Sequence, residues 1–198
     1  MNLFYNKEKV GDVAFLQIDP QEGPFNYETK GDIVQITKND DVVGYNIFNA
    51  SNIVNIEGNG HIKLTDEIVN NFNQAIKNAG FNDELDADLS PKFVVGYVAT
   101  KDKHPDADKL SVLSVDVGND KLQIVCGAPN VEAGQKVVIA KVGAVMPSGM
   151  VIKDAELRGV ASSGMVCSMK ELNLPNAPQE KGIMVLSDEY EVGQPFFE

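Results

Sequence analysis

Two stretches decide how the chain is interpreted: His104-Pro-Asp-Ala-Asp-Lys-Leu110 and Leu157-Arg-Gly-Val-Ala-Ser-Ser-Gly-Met-Val-Cys-Ser168. The first is typical of a turn before a strand, because proline restricts the residue before it to extended backbone and aspartates accept backbone amides in tight turns. We therefore expect the ring of His104 to project from a loop. The second is rich in glycine, alanine and serine, which allow another backbone to approach closely. Neither stretch contains a catalytic constellation.

Three lysines flank the first stretch. Lys101, Lys103 and Lys109 could meet phosphate groups. The alternative is a solvated loop in which the neighbouring aspartates simply neutralise the lysines. A metal site built on His104 and these aspartates would need further ligands, and no second cluster of His, Cys or carboxylates supplies them. We expect no metal and no cofactor.

The second stretch contains Arg158, which is the only arginine of the chain. Its planar fork of donors suits phosphate or a base edge, but it could instead pair with Glu156 or Asp154. Met165 offers a soft apolar surface to a base, but it could equally fill a gap in the core. The sequence leaves both pairs of alternatives open.

Short strand-like runs with frequent turns dominate the chain after residue 91. Glycine, proline and asparagine separate these runs, and so many strands in such a short segment suggest a closed or sandwiched all-β unit. A small Greek-key barrel of the OB type, with five strands, fits this count. The predicted strands are residues 93–99, 110–117, 121–126, 136–142, 150–153, 164–167 and 182–186.

The chain before residue 82 predicts a β-rich unit with one helix. Residues 33–38 and 41–48 form a hairpin pattern around Asn39-Asp40, and Thr65 can cap an amphipathic helix that Gly80 ends. The predicted fold is thus mainly β with minor α. It divides into a small N-terminal α+β domain of residues 1–82, an acidic solvated linker of residues 83–91, and an OB-fold five-stranded β-barrel of residues 92–198.

Charge is distributed unevenly along the chain. The net charge is −12, which by itself argues against a partner rich in phosphate. Residues 1–90 carry 6 Lys or Arg against 15 Asp or Glu, whereas residues 92–170 carry 10 against 8. The middle of the chain is therefore weakly basic, and its lysines can still gather on one face.

Composition argues for a cytoplasmic, soluble protein. Cys126 and Cys167 are the only cysteines, so we expect no disulfide framework. No signal peptide and no apolar run of membrane-spanning length is present, and we expect no membrane contact. The chain also lacks a glycine-rich phosphate loop, a nucleophile elbow and a zinc-type cysteine pair. We expect that it is not an enzyme and has no small-molecule substrate.

Nine segments occur in an order that resembles the tRNA-binding domain near the N-terminus of the bacterial phenylalanyl-tRNA synthetase β subunit. More distantly, they resemble the C-terminal domain of some methionyl-tRNA synthetases and the EMAP II type domain. A short chain with an additional N-terminal domain resembles the YtpR family. The segments are Val94-Val-Gly-Tyr-Val98, His104–Leu110, Ile124-Val-Cys-Gly-Ala-Pro-Asn130, Val142-Gly-Ala-Val-Met-Pro147, Ile152-Lys153, Leu157-Arg-Gly159, Ser162-Ser-Gly-Met-Val-Cys-Ser168, Glu171-Leu172 and Gly182-Ile183.

The resemblance implies an OB-fold and tRNA binding without aminoacylation. Two positions depart from the usual pattern: Asp106 stands where asparagine is frequent, and Asn173 stands in place of glycine. Asparagine tolerates the left-handed conformation that a helix end needs, so we expect the fold to survive. The predicted tRNA-binding residues are Lys109, Asn130, Lys153, Arg158, Ser162 and Met165, together with the flanking Lys101 and Lys103.

Aromatic residues are sparse after residue 91, and neither signature stretch contains Phe, Tyr or Trp. This disfavours base-by-base stacking and favours recognition of folded RNA by its shape and backbone. We therefore predict a non-catalytic protein that recognises folded tRNA through its OB-fold. The alternative is a protein-interaction or chaperone-like OB module with weak or no RNA binding, and a protein partner or self-association fits either hypothesis. The particular tRNA, the oligomeric state and the role of residues 1–82 stay open.

Overall fold

The computed structural model describes residues 1–197. The chain divides into two compact units, Met1–Ser90 and a second unit that begins at Pro91. No helix in the described part of the chain is long and apolar enough to cross a membrane.

The first unit is a six-stranded antiparallel sheet with one α-helix. The strand order is β3-β4-β5-β2-β1-β6, so the hairpins of neighbouring strands build most of the sheet. A short 3₁₀ helix, Ala50–Asn52, follows the fifth strand. The strands are β1 Asn2–Tyr5, β2 Val13–Gln17, β3 Asn26–Lys30, β4 Ile33–Lys38, β5 Asp41–Phe48 and β6 Gly60–Ile62.

The predicted hairpin and helix of this unit are confirmed. Asn39 and Asp40 join β4 to β5 with φ angles of 51° and 69°, the left-handed pair that a tight hairpin turn requires. Helix α1 runs over Asp66–Asn78, and the Thr65 hydroxyl accepts a hydrogen bond from the backbone N–H of Ile68. Its buried face packs against the sheet through Ile68, Val69, Phe72 and Ile76.

The acidic segment 83–91 differs from the solvated linker that the sequence suggested. Leu85 is only 6% exposed, and it packs in the core of the first unit. The side-chain amide of Asn73 makes two hydrogen bonds to the backbone of Leu85. Asp83 accepts hydrogen bonds from Tyr45 and Gln35. The first half of the segment is thus part of the first unit, because Leu85 and Asp83 contact residues that lie far away in sequence.

The second unit contains a five-stranded, nearly closed barrel in the order β13-β10-β7-β8-β9. Together with the first unit, it confirms the predicted fold class. The fourteenth strand pairs with β10 at the rim, and a separate hairpin is formed by β11 and β12. The strands are β7 Phe93–Lys103, β8 Ser111–Asp116, β9 Lys121–Cys126, β10 Lys136–Ala140, β11 Asp154–Leu157, β12 Val160–Ser163, β13 Met165–Val166 and β14 Val185–Leu186.

The predicted strand at residues 150–153 is wrong. Only an isolated bridge between Val145 and Val151 forms there, and the strands of the hairpin begin at Asp154. Gly164 separates β12 from β13 with φ +128°. A Cβ atom at this position would lie 3.0 Å from the carbonyl oxygen of Ala140. The close approach of two backbones explains why glycine stands there. The barrel interior is filled by Val94, Val98, Leu113, Val115, Ile124, Val137, Ile139 and Val166.

Replacing Tyr45 by phenylalanine tests whether segment 83–87 is held by its polar contacts. The buried Tyr45 hydroxyl donates to Asp83 at 2.7 Å, and burial raises its pKa, with the Asp83 carboxylate contributing. We expect Tyr45→Phe to lower the free energy of unfolding of the first unit by about 1.5–3 kcal/mol, the usual contribution of a hydrogen bond to a charged group. Tyr27→Phe is the control, since Tyr27 is 64% exposed. Equal urea midpoints for both variants would contradict this interpretation.

Candidate nucleic-acid interface

The connection between β7 and β8, residues 104–110, is called the signature loop below. The β11–β12 hairpin, residues 154–163, is called the signature hairpin. His104 joins them, because its Nε2 lies 2.9 Å from the carbonyl oxygen of Leu157. The prediction that this ring projects from the loop is wrong, since His104 is only 5% exposed. Pro105 favours extended backbone at His104. The ring is buried because it contacts a hairpin far away in sequence, and a backbone preference does not predict such a contact.

The orientation of the His104 ring is fixed at both nitrogens. Nδ1 accepts the backbone N–H of Asp106 at 3.0 Å, so the neutral ring carries its proton on Nε2 and donates it to Leu157. This tautomer is assigned from the hydrogen-bond pattern. The ring therefore closes the signature loop on itself and ties the loop to the hairpin.

Arg158 makes a second connection between the two elements. It occupies the hairpin turn with φ 48°, followed by Gly159 with φ 81°. Its Nη1 donates to the backbone carbonyl of Asp106 at 3.1 Å. Its partner in the described part of the chain is thus a carbonyl rather than Glu156 or Asp154. Arg158 is exposed, and its guanidinium has further N–H donors available for a ligand.

Two hydrogen bonds fasten the signature hairpin to the barrel. The side-chain amide of Gln123 donates to the carbonyl of Ala161 at 2.8 Å. The backbone N–H of Val125 donates to Oγ of Ser162 at 3.0 Å, and Ser162 is only 4% exposed. Ser162 therefore serves the barrel in this structure, although the family pattern suggested an RNA contact. Gln123 was not predicted, because no local pattern marks a glutamine that reaches a neighbouring backbone.

The predicted basic residues do not share one environment. Lys101 forms an ion pair with Glu132 at 2.9 Å, which neutralises its charge locally. Lys103, Lys109 and Lys153 are exposed. The two elements and the end of β7 also carry exposed acids at Asp102, Asp106, Asp108, Asp154 and Glu156. The surface is therefore of mixed charge.

Asn130 and Met165 lie apart from the signature loop. The Asn130 side-chain amide donates to the carbonyl of Ile183 at 3.0 Å, and its oxygen accepts the Ile183 N–H at 2.8 Å. Met165 lies on β13, where one part of its side chain packs against a buried cluster and the residue stays half-buried. Both residues line a cleft beside the end of β9.

Titratable groups near the interface show no metal-binding arrangement. Within residues 1–197, no group of three or more His, Cys, Asp or Glu could hold a metal ion. Cys126 and Cys167 are buried and unpaired. Burial raises the pKa of both thiols, that of Cys167 to about 12, so both stay protonated at neutral pH.

The two signature elements occupy defined positions in the barrel. In an OB-fold, the connections after the first and the fourth strand border the face that binds oligonucleotides. The signature loop follows β7, the first barrel strand, and the hairpin lies between β10 and β13, the fourth and fifth. His104 and Arg158 hold these two connections against each other. This position makes the two connections a candidate nucleic-acid interface.

Replacing His104 by alanine tests whether the ring holds the two elements together. The carbonyl of Leu157 and the N–H of Asp106 would lose their partner, so both segments should open more often. We expect faster amide hydrogen exchange in residues 104–110 and 154–163, with the remaining barrel strands unchanged. His61→Ala, in the first unit, is the matched control. Unchanged exchange in both segments would show that other contacts hold the junction.

Comparison with known proteins follows the division into two units. A family described as "Putative tRNA binding domain" matches residues 93–195, and one described as "Domain of unknown function (DUF4479)" matches residues 20–88. The phenylalanine–tRNA ligase β subunit of Oceanobacillus iheyensis is 59% identical over 91 residues, which are 46% of this chain and 11% of the subunit. That of Nitratidesulfovibrio vulgaris is 54% identical over 107 residues, 54% of this chain and 13% of the subunit.

One relative matches along its whole length. The Bacillus subtilis protein named "Putative tRNA-binding protein YtpR" is 58% identical over 199 residues, covering 99% of both chains. The resemblance seen in the signature stretches is therefore confirmed for both units, and the chain belongs to the YtpR family.

Proposed function

We propose that the chain is a non-catalytic protein that binds folded tRNA through the signature loop and the signature hairpin. The observation that carries the proposal is the locked contact of these two elements at His104 and Arg158. They are the connections that border the binding face of an OB barrel. The tRNA-binding name of the full-length relative and the matched domain family support tRNA as the ligand class.

Recognition by shape and backbone is favoured by what the interface lacks. Residues 98–189 contain no Phe, Tyr or Trp, so they offer no aromatic platform for stacked bases. Ser114 of β8 lies opposite Gln123 of β9, and the buried Leu113 and Ile124 lie opposite each other in the same pair of strands. Side chains alternate along a strand, so the outer face of this pair carries Val112 and Val125 beside the polar groups Ser114, Gln123 and Lys121. Such groups suit phosphate and 2′-hydroxyl contacts.

The charge of the interface predicts binding of moderate strength. Arg158, Lys103, Lys109 and Lys153 are exposed there, but acids of the same elements partly offset them. Each neutralised phosphate contributes roughly one unit to the slope of log affinity against log salt. A small slope is therefore expected, with selectivity for tRNA resting on the fixed geometry of the junction.

The proposal assigns no catalytic residue. His104 uses both ring nitrogens in structural hydrogen bonds, so neither is free to move a substrate proton. The raised pKa of each thiol disfavours a cysteine nucleophile. We place the protein in the cytoplasm, where two unpaired buried cysteines are ordinary.

Fluorescence anisotropy with labelled tRNA, over a salt series, tests the proposal. The key variant is Arg158→Asn/Lys109→Ala, because asparagine tolerates the left-handed turn while the change removes the guanidinium and its hydrogen bond to Asp106. We expect about tenfold weaker binding and a salt slope lower by roughly one to two. Lys63→Ala/Lys77→Ala in the first unit removes the same charge and should bind as wild type.

An unstructured RNA of equal length completes the experiment. The proposal expects weaker binding of this RNA than of tRNA by the wild-type protein. Equal affinity for the two RNAs would contradict shape recognition. Failure to bind either RNA would contradict the function, and the protein-interaction alternative would then take its place.

A further inference from the structure

A cleft of about 770 Å³ opens in the second unit beside the end of β9. This volume lies within the range of small-ligand sites and exceeds that of one nucleotide. The cleft is separate from the Arg158 hairpin turn. It is lined by residues 125–130, 165–166, 168–171 and 178–185.

Asn130 joins two walls of the cleft, residues 125–130 and residues 178–185. Its side-chain amide makes the two hydrogen bonds to the Ile183 backbone described above. A Cβ atom on Gly182 would lie 2.9 Å from Oδ1 of Asn130, so glycine is needed for this close approach. The separation of these two walls is therefore set by the hydrogen bonds between the Asn130 side chain and the Ile183 backbone.

Reciprocal hydrogen bonds between Ser168 and Glu171 hold the third wall of the cleft, residues 168–171. The Glu171 carboxylate accepts both the N–H and the hydroxyl of Ser168 at 2.8 Å, and the Ser168 hydroxyl accepts the N–H of Glu171 at 3.1 Å. This capping box starts the turn that carries Lys170. The turn ends at Asn173, which holds the left-handed conformation expected for it, φ 53°. The acid that lines this wall is thus committed to backbone structure.

The lining combines three methionines with two lysines, and it also contains the acids Glu171 and Glu180. Met165, Met169 and Met184 are half-buried, and thioethers adapt to flat aromatic surfaces. Lys170 and Lys181 are exposed at the cleft, and in the described part of the chain neither lies within ion-pair distance of a carboxylate. A flat base with a phosphate attached satisfies both halves of this lining.

The cleft is continuous with the proposed RNA interface. β9 ends at Cys126, which pairs with Ser111, the first residue of β8 after the signature loop. Leu110, the last residue of the loop, packs against Gly127: a Cβ atom there would lie 3.2 Å from its Cδ2. An RNA strand that leaves the surface of the signature loop therefore reaches the cleft with its next nucleotide.

We propose that this cleft takes up one unpaired nucleotide of the bound tRNA. The base lies against Met165, Met169 and Met184, and the phosphate lies between Lys170 and Lys181. Asn130 acts as a positioning residue for the cleft walls. The inference rests on the proposed function for its ligand. A free mononucleotide carries the same base and phosphate, so it tests the cleft without tRNA.

Methyl NMR of methionine-labelled protein tests the inference. The full chain is titrated with adenosine 5′-monophosphate and, separately, with tRNA. Ring currents of a stacked base should shift the methyl signals of Met165, Met169 and Met184. Met150, which is 51% exposed and outside the cleft, is the internal control and should not move. Lys170→Ala/Lys181→Ala should weaken the nucleotide about fivefold, as expected for two exposed charge contacts. Affinity for adenosine without phosphate should stay unchanged.

The titrations separate failure of the cleft from failure of the function. If tRNA binds by anisotropy but the three cleft methyl signals stay in place, the inference is overturned and the proposed function stands. If the nucleotide shifts these signals but tRNA does not bind, the cleft is a nucleotide site and the proposed function falls. Equal shifts of Met150 and the cleft methyl signals would show nonspecific contact and overturn the inference.

Discussion

The hydrogen bond from the His104 ring to the carbonyl of Leu157 is the interaction on which the proposed interface depends. It joins two connections that are 53 residues apart in the chain. Because Nδ1 also accepts from Asp106, the same ring shapes the signature loop and anchors the hairpin. Without it, two exposed connections of mixed charge would each sample their own conformations. With it, they meet in one surface, and the proposed function relies on this geometry because preorganisation lowers the ordering cost of binding.

The proposed function also has to account for the negative net charge of the chain. A chain of net charge −12 cannot rely on a broad positive field to attract RNA. A few cations at fixed positions can still select a folded backbone, provided that the surface itself is rigid. The sole arginine stands in a left-handed turn, an unfavourable conformation for a residue with a Cβ atom. Its exposed guanidinium is held at a defined place by Asp106.

Local sequence patterns predict more of the fold than of the candidate interface. Asn39-Asp40 and Thr65 encode a hairpin turn and a helix cap through their own conformational preferences, and both are found in place. His104 could not be placed in this way, because its burial depends on a hairpin that lies far along the chain. The same holds for Ser162, whose hydroxyl is used by a neighbouring strand. Family resemblance pointed to the two signature elements, and the contacts show which of their side chains hold them together and which ones face outward.

A double-mutant cycle in tRNA affinity tests most directly the claim that His104 positions the interface. The four proteins are wild type, His104→Ala, Arg158→Asn and the double variant. If His104 acts by placing Arg158, each single change weakens binding, and Arg158→Asn has little further effect once His104 is removed. Full additivity of the two losses, or undiminished affinity of His104→Ala, would contradict the account.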